Sequence, residues 1–233
     1  MLSANRIAGA SWDVPIAATC KPSAVCSSTC YALHPAKSIT WPAAINRQAV
    51  RLQAQETDPE GTAKRIAEEV RRDGHPHVVI NGAGDLTDNG VRLVNHLATL
   101  VNVPLWVRTR RPAQAAKVDQ HPRIFLHFSL DRASLRRRDE VLALAPKANL
   151  FFTYQGAPGE VIEEAHGCSL VFAHGYDGDL VRETVPREVV CPLNDLCRPG
   201  NPPANATGAC GKCRRCFDGT LVALQARRDG LGA

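Results

Sequence analysis

Apolar positions along this chain switch between a helical and a strand-like period. Residues 41–56 (WPAAINRQAVRLQAQE), with Pro42 in the first turn and Ile45, Ala49 and Leu52 on one face, predict a helix, and 62–72 predict a second amphipathic one. The short apolar run 77–81 (HVVIN), closed by Gly82, Ala83, Gly84 and Asp85, reads as a buried strand ending in a tight loop. The alternation continues with a helix at 88–100, a strand at 104–109, a helix at 113–118, a strand at 123–129 and a helix at 134–144. A strand at 149–154, a short helix around 159–165 and a strand at 169–174 complete it. With 14–18 as an opening strand, about six β/α units result. They predict an α/β fold with a parallel sheet, open or closed into a partial (β/α)6 barrel.

From Cys191 to Cys216 the pattern breaks: Pro, Gly, Asn and Cys dominate, and too few apolar residues remain for a core, so a metal is expected to organise this segment. The expected division is a barrel-like α/β domain over 1–185 and a Cys-rich metal-binding tail over 186–233, with a helix at 221–228. A chain of 233 residues has room for one sizeable core and such an appendage. Hydrophobic residues at 44% and charged ones at 22% are ordinary globular usage. The N-terminus lacks a basic region followed by a long apolar run, and no stretch is long enough to span a bilayer. A cytoplasmic chain without a membrane partner is the expectation.

That compartment decides how nine cysteines are read, because in a reducing cytosol clustered thiols hold metal more often than they form disulfides. Cys20, Cys26 and Cys30 form C-x5-C-x3-C at the opening of the α/β pattern. Three close thiols are one short of the four that complete a [4Fe-4S] cluster, leaving one iron open to a small molecule. Zinc completed by His34 is the competing reading. In the tail, Cys210, Cys213 and Cys216 form a tight C-x2-C-x2-C run, with Cys191 as fourth ligand and Cys197 as a spare. A closed second cluster is favoured there, and four-thiolate zinc is the alternative. Cys168 reads as a small buried residue.

In parallel α/β folds ligands sit beyond the C-terminal strand ends. Those ends carry Cys20, the 82–85 loop, Arg108, Arg110, Arg111, Ser129, Asp131, Tyr154, Gln155 and His174. Glycines 82 and 84 would let the backbone approach a ligand, and Asp85 would pair with an ammonium; as a plain turn, the segment needs only Asp88 to cap the next helix. Arg108 suits bidentate recognition of a carboxylate or phosphate, while Arg110, Arg111 and residues 136–138 read as solvated charge. Ser129, Asp131 and His174 would line the pocket, against helix capping by Asp131 and a structural role for His174. Together Asp85, Arg108, Asp131 and His174 are the catalytic candidates. No P-loop, HExxH or Ser-His-Asp order is present, which argues against ordinary hydrolases and nucleoside triphosphatases.

The net charge of +5 would fall to about +2 with two bound clusters, so it supports nucleic acid only weakly. Lys212, Arg214 and Arg215 among the tail cysteines keep open a zinc-stabilised nucleic-acid-binding module.

SWDVPIAATC, the C-x3-CYA at 26–32, Gly84-Asp85 after a strand, and Cys191-Pro192 followed by the C-x2-C-x2-C run together resemble the phage gene-product-88 family. More distantly they resemble radical S-adenosylmethionine (SAM) enzymes. That second resemblance implies a partial (β/α)6 barrel, a three-cysteine [4Fe-4S] cluster near the first strand, and SAM on the open iron. It also implies reductive cleavage of SAM to a radical that abstracts hydrogen from a small-molecule or nucleotide-like substrate, with an external electron donor. By the same resemblance Tyr31, Gly82, Gly84, Asp85 and Ser129 would contact the cofactor. The spacing C-x5-C-x3-C differs from the usual C-x3-C-x2-C of those enzymes, and Tyr31 follows the third cysteine where they place an aromatic before it.

Overall fold

The computed structural model describes residues 1–5, 8–30, 41–144, 149–157, 159–172, 182–192 and 209–230. The fold is mixed α/β. An antiparallel pair, β1 (Ser3–Asn5) and β2 (Gly9–Trp12), opens the chain. From β2 onward the sheet is parallel and adds strands in sequence order: β3 (Val78–Ile80), β4 (Leu105–Thr109), β5 (Ile124–Leu130), β6 (Leu150–Gln155) and β8 (Leu170–Phe172). The order β1-β2-β3-β4-β5-β6-β8 makes seven strands, and β7 (Val161–Ile162) pairs apart with β9 (Arg182–Glu183).

Sequential parallel order means that every crossover steps in the same direction, and right-handed crossovers then lay the helices on one face. Along β3, β4, β5 and β6, alternate residues Val78, Ile80, Leu105, Val107, Leu126, Phe128 and Phe152 enter that core. Helix α4 (Pro59–Asp73) meets it with Ala63, Ile66, Ala67 and Val70, at the spacing its sequence announces. Its start is set by Asp58, which accepts from the Gly61 amide at 2.8 Å, and its end by Gly74 at φ 64°. Truncating Ile66, which is fully buried, to Ala would cost about 2–5 kcal/mol. Helix α5 (Asp88–Leu100) packs beside α4 through Val91, Val94, Leu97 and Ala98.

The second face of the sheet carries Val79, Trp106, Phe151 and Leu170, and the C-terminal segment covers it with Cys191, Phe217 and Leu221. The backbone of Cys191 joins the edge of β8 by donating to the Val171 carbonyl at 2.9 Å. Helix α9 (Thr220–Arg228), which follows α8 (Ala209–Cys213), packs against β6, and its buried Gln225 accepts from the amides of Phe152 and Ser169, both at 3.1 Å.

Several expectations are corrected. The first strand of the parallel array is Gly9–Trp12, and most of the expected stretch is α1 (Ile16–Thr19), because Pro15 has no N–H for a ladder and its φ of −63° leads into a helical turn. The expected helix near 159–165 contains β7, where β-branched Val161 and Ile162 pair with β9. Helix α3 (Trp41–Thr57) exposes Ile45 and Ala49 and half-buries Leu52. It buries Gln48, Arg51 and Gln55 instead, since Gln55 accepts from the Trp12 indole and Arg51 donates to the Met1 carbonyl. The cap of α5 is Thr87, accepting from the Gly90 amide at 3.0 Å, while Asp88 pairs with Lys117 at 2.6 Å. Of residues 136–138 only Arg136 is exposed: Arg137 donates to the Arg110 carbonyl and Arg138 pairs with Asp229. Cys168 is fully buried in the core, as its sequence context suggests.

Candidate metal centres

Two groups of thiols lie at the C-terminal edge and on the second face of this sheet. The first sits where the chain leaves β2. Helix α1 ends at Cys20, and α2 (Ala24–Thr29) carries Cys26 and is followed by Cys30. The local sequence builds this turn: the Ser23 hydroxyl caps α2 by accepting from the Cys26 amide at 3.1 Å. The same hydroxyl donates to the Asp131 carboxylate, which also receives Arg110 and the Ser134 hydroxyl. Asp131 thus caps the turn after β5, in a capping box with Ser134, and ties α2 down as well. Asp131 is completely buried. Burial pulls its pKa up, but the donors Ser23, Arg110 and Ser134 outweigh this and hold it below the usual carboxylate range.

Asp85 anchors the other side of the group. Its carboxylate accepts from Thr109 Oγ1 at 2.6 Å and the Leu86 amide at 2.8 Å, and its own amide donates to Thr19 Oγ1 at 3.0 Å, one residue before Cys20. Burial raises its pKa against these hydrogen bonds. The glycines beside it serve close packing on the chain itself. A Cβ on Gly84, at φ +87°, would lie 2.4 Å from the Val14 carbonyl oxygen, and one on Gly82 would lie 2.9 Å from Asp13 Oδ1.

Burial pushes the Cys20 thiol up to about 12, with Asp85, Cys26 and Cys30 each adding negative charge nearby. Burial also raises Cys26, although Arg110 and Arg108 favour its thiolate. The three sulfurs therefore share one neighbourhood, half-buried, with Asp85, Asp131, Arg108 and Arg110 around them.

The second group forms on the face of the sheet. Cys210 and Cys213 lie three residues apart on α8, a spacing that puts both on one side of the helix, and a left-handed turn at Arg214 (φ 59°) brings Cys216 around. Cys191 arrives along the edge of β8, and Arg215 fastens the two pieces by donating to the carbonyls of Val190 and Glu188. Burial raises Cys216 well above the usual thiol range, with Cys191, Cys210 and Cys213 contributing, and raises Cys210 to about 11. A cavity of about 50 Å³ lies among Trp106, Phe172, Cys191, Cys210, Cys216 and Phe217.

Both donor sets are thiol-rich, and the acids nearest the first, Asp85 and Asp131, are engaged by hydroxyl, amide and guanidinium donors. Such sets suit thiophilic metals, which displace the thiol protons on binding. Among the described residues no three of these sulfurs lie within 4.8 Å of one another; the set that does is Glu69, Asp73 and His75, where Met1's ammonium already sits 2.6 Å from Glu69.

A family model described as gene product 88 matches residues 3–219. The chain belongs to the gene product 88 family. The match spans both thiol groups of this gene product 88 chain, from Cys20 to Cys216. Neither the curated proteins nor the solved structures contain a match. In this gene product 88 protein the structure brings Cys20, Cys26, Cys30, Asp85, Arg108 and Asp131 to one end of the sheet, and Cys191, Cys210, Cys213 and Cys216 to a second site. Ser129 lies on the same face as Trp106, bonded to Thr153 Oγ1 at 3.3 Å. Tyr31, His34, His174 and Cys197 lie outside the described residues.

Sequence reasoning passed over Ser23 and Thr19, read Arg110 as solvated charge, and set Arg215 among basic residues for nucleic acid; the structure gives both arginines internal partners. Ser23 was legible as a cap three residues before Cys26. Arg110 and Arg215 carried no such signal, because their partners Asp131 and Glu188 are distant in sequence. No helix among the described residues is long and apolar enough to cross a membrane.

Proposed function

We propose that this protein is an iron-sulfur enzyme whose three-thiol site holds a [4Fe-4S] cluster with one iron open to a small molecule, and whose four-thiol site holds a second, closed cluster. The observation that carries this reading is the contrast between the groups. Three thiols, with charged residues beside them, stand at the strand ends where parallel α/β folds bind ligands, and four stand enclosed against the sheet face.

The sequential parallel sheet with helices on one face is the topology from which a partial (β/α)6 barrel closes, and in that reading the Trp106 face is the interior. A cluster at Cys20, Cys26 and Cys30 would supply one-electron chemistry and, on the distant likeness to radical SAM enzymes, an open iron for SAM. The chain's own residues do the positioning. Ser23, Asp131 and Arg110 orient α2 and Cys26, Thr19 and Asp85 orient the approach to Cys20, and the Arg108 charge favours thiolates at Cys26, Cys210 and Cys216.

Protein purified without oxygen is expected to contain iron and labile sulfide for two four-iron clusters, about eight of each per chain. Cys26→Ser and Cys213→Ser should each remove about half. Added SAM should alter the paramagnetic spectrum of the reduced protein and yield 5′-deoxyadenosine. Intact iron with no response to SAM would leave an iron-sulfur enzyme whose open iron binds substrate directly. A colourless zinc protein would overturn the proposal and restore the nucleic-acid-binding alternative.

A further inference from the structure

On the sheet face between the two thiol groups runs a chain of hydrogen bonds whose first two steps are directed by its first member. The Trp106 indole can only donate, and it donates to His127 Nδ1 at 3.1 Å. The proton of this buried, neutral histidine is therefore on Nε2, which donates to Thr153 Oγ1 at 2.5 Å. Either hydroxyl could donate across the 3.3 Å between Thr153 Oγ1 and Ser129 Oγ, but Thr153 is fully buried and its proton has no other acceptor among the described residues, which directs it to Ser129. The Ser129 hydroxyl proton ends the chain, and among the described residues it meets no acceptor. A series of aligned donors polarises its last member, making Ser129 a stronger donor than an isolated serine.

Arg108 stands on the same face. Its backbone position pairs with His127, so Ser129 is its diagonal neighbour across β4 and β5, within reach of a long side chain. The guanidinium is half-buried, lies 5.4 Å over the Trp106 ring, and has no carboxylate or hydrogen-bond partner among the described residues. Its strand neighbours are placed otherwise: Arg110 is held by Asp131, and Arg111 donates to the Leu86 carbonyl. A half-buried fork of donors over Trp106 and a polarised hydroxyl on the same face are donors lacking an acceptor.

We propose that Arg108 and Ser129 form the recognition site for the anionic group, carboxylate or phosphate, of the small molecule on which this protein acts. The inference rests on the reading of this face as the reaction chamber and leaves the identity of the metal aside. It narrows the substrate class to small anions whose reacting part lies toward Cys20, Cys26 and Cys30, with the anionic group anchored over Trp106.

Protein purified without oxygen, with its metals in place, would be titrated with inorganic phosphate and with succinate at constant ionic strength, following heat of binding and melting temperature. Saturable binding of at least one anion is expected. Arg108→Met should weaken it tenfold or more, Arg108→Lys less, and Ser129→Ala several-fold, while Arg136→Ala, at an exposed arginine, should leave it unchanged. Circular dichroism and iron content of each variant separate lost binding from lost folding. Failure of both anions to bind the wild type at 50 mM, or binding indifferent to Arg108→Met and Arg108→Lys in folded protein, overturns the proposal. Arg108 variants that change metal content but not anion affinity also overturn it, and make Arg108 a counter-charge for the thiolates. Anion binding in protein that lacks iron would sink the iron-sulfur reading and leave this one standing; iron without anion binding would do the reverse.

Discussion

His127 shows how much one side chain can report. It is fully buried, and burial first, then Arg108 and Arg110, push its pKa well below that of free imidazole. Below pH 6.5 the unfolded chain takes up a proton that the folded one refuses, so stability is full above that pH and falls as pH drops below it. The expected slope is about 1.4 kcal/mol per pH unit for this residue, and buried His77 adds in the same direction. Urea unfolding between pH 7 and 5 checks it, and His127→Gln should flatten the curve. Gly84 makes a second claim at this scale. Gly84→Ala must adopt a left-handed φ and press a methyl onto the Val14 carbonyl, which should cost about 2–4 kcal/mol in the same assay.

Among the elements, α2 depends most on others. It is six residues long, too short to be stable alone, and is held through Ser23 by a carboxylate at the end of β5. Asp131→Ala would strand Arg110, whose side chain is only 14% exposed, and a broken buried pair of this kind costs about 3 kcal/mol. The expected result is lower stability together with, on the proposed iron-sulfur reading, loss of iron from the three-thiol site while the four-thiol site keeps its share. Equal loss from both sites would show that Asp131 supports the whole sheet edge and not α2 in particular. Helix α3 teaches a different lesson. Its apolar residues Ile45 and Ala49 promised an inward face, yet the buried side is Gln48, Arg51 and Gln55, because Trp12 and the chain start offer hydrogen-bonding groups there.

Across the whole molecule the C-terminal segment acts as the cover of one sheet face. Cys191 is stitched to β8, Arg215 links it to the turn before Cys216, and Phe217 stacks on His77 and lies against Trp106. If the four-thiol site holds the proposed metal, stripping it should free this cover and admit water to Trp106, which is 4% exposed. A red shift of tryptophan emission on chelation is expected, and it should vanish in Trp106→Phe. The parallel strands, the helices between them and the two thiol groups were legible in the chain, because period, turn residues and cysteine spacing are local signals. Strands such as β3, β4, β5 and β6 and helix α5 lie within a residue or two of their expected bounds. Which face of the sheet meets the helices, that Arg110 and Arg215 are spent on internal partners, and that Arg108 and Ser129 share a face with a donor chain were decided only in the folded molecule. Those outcomes depend on partners twenty or more residues apart, and a polar residue's role is set by whether an acceptor arrives beside it when distant strands pair.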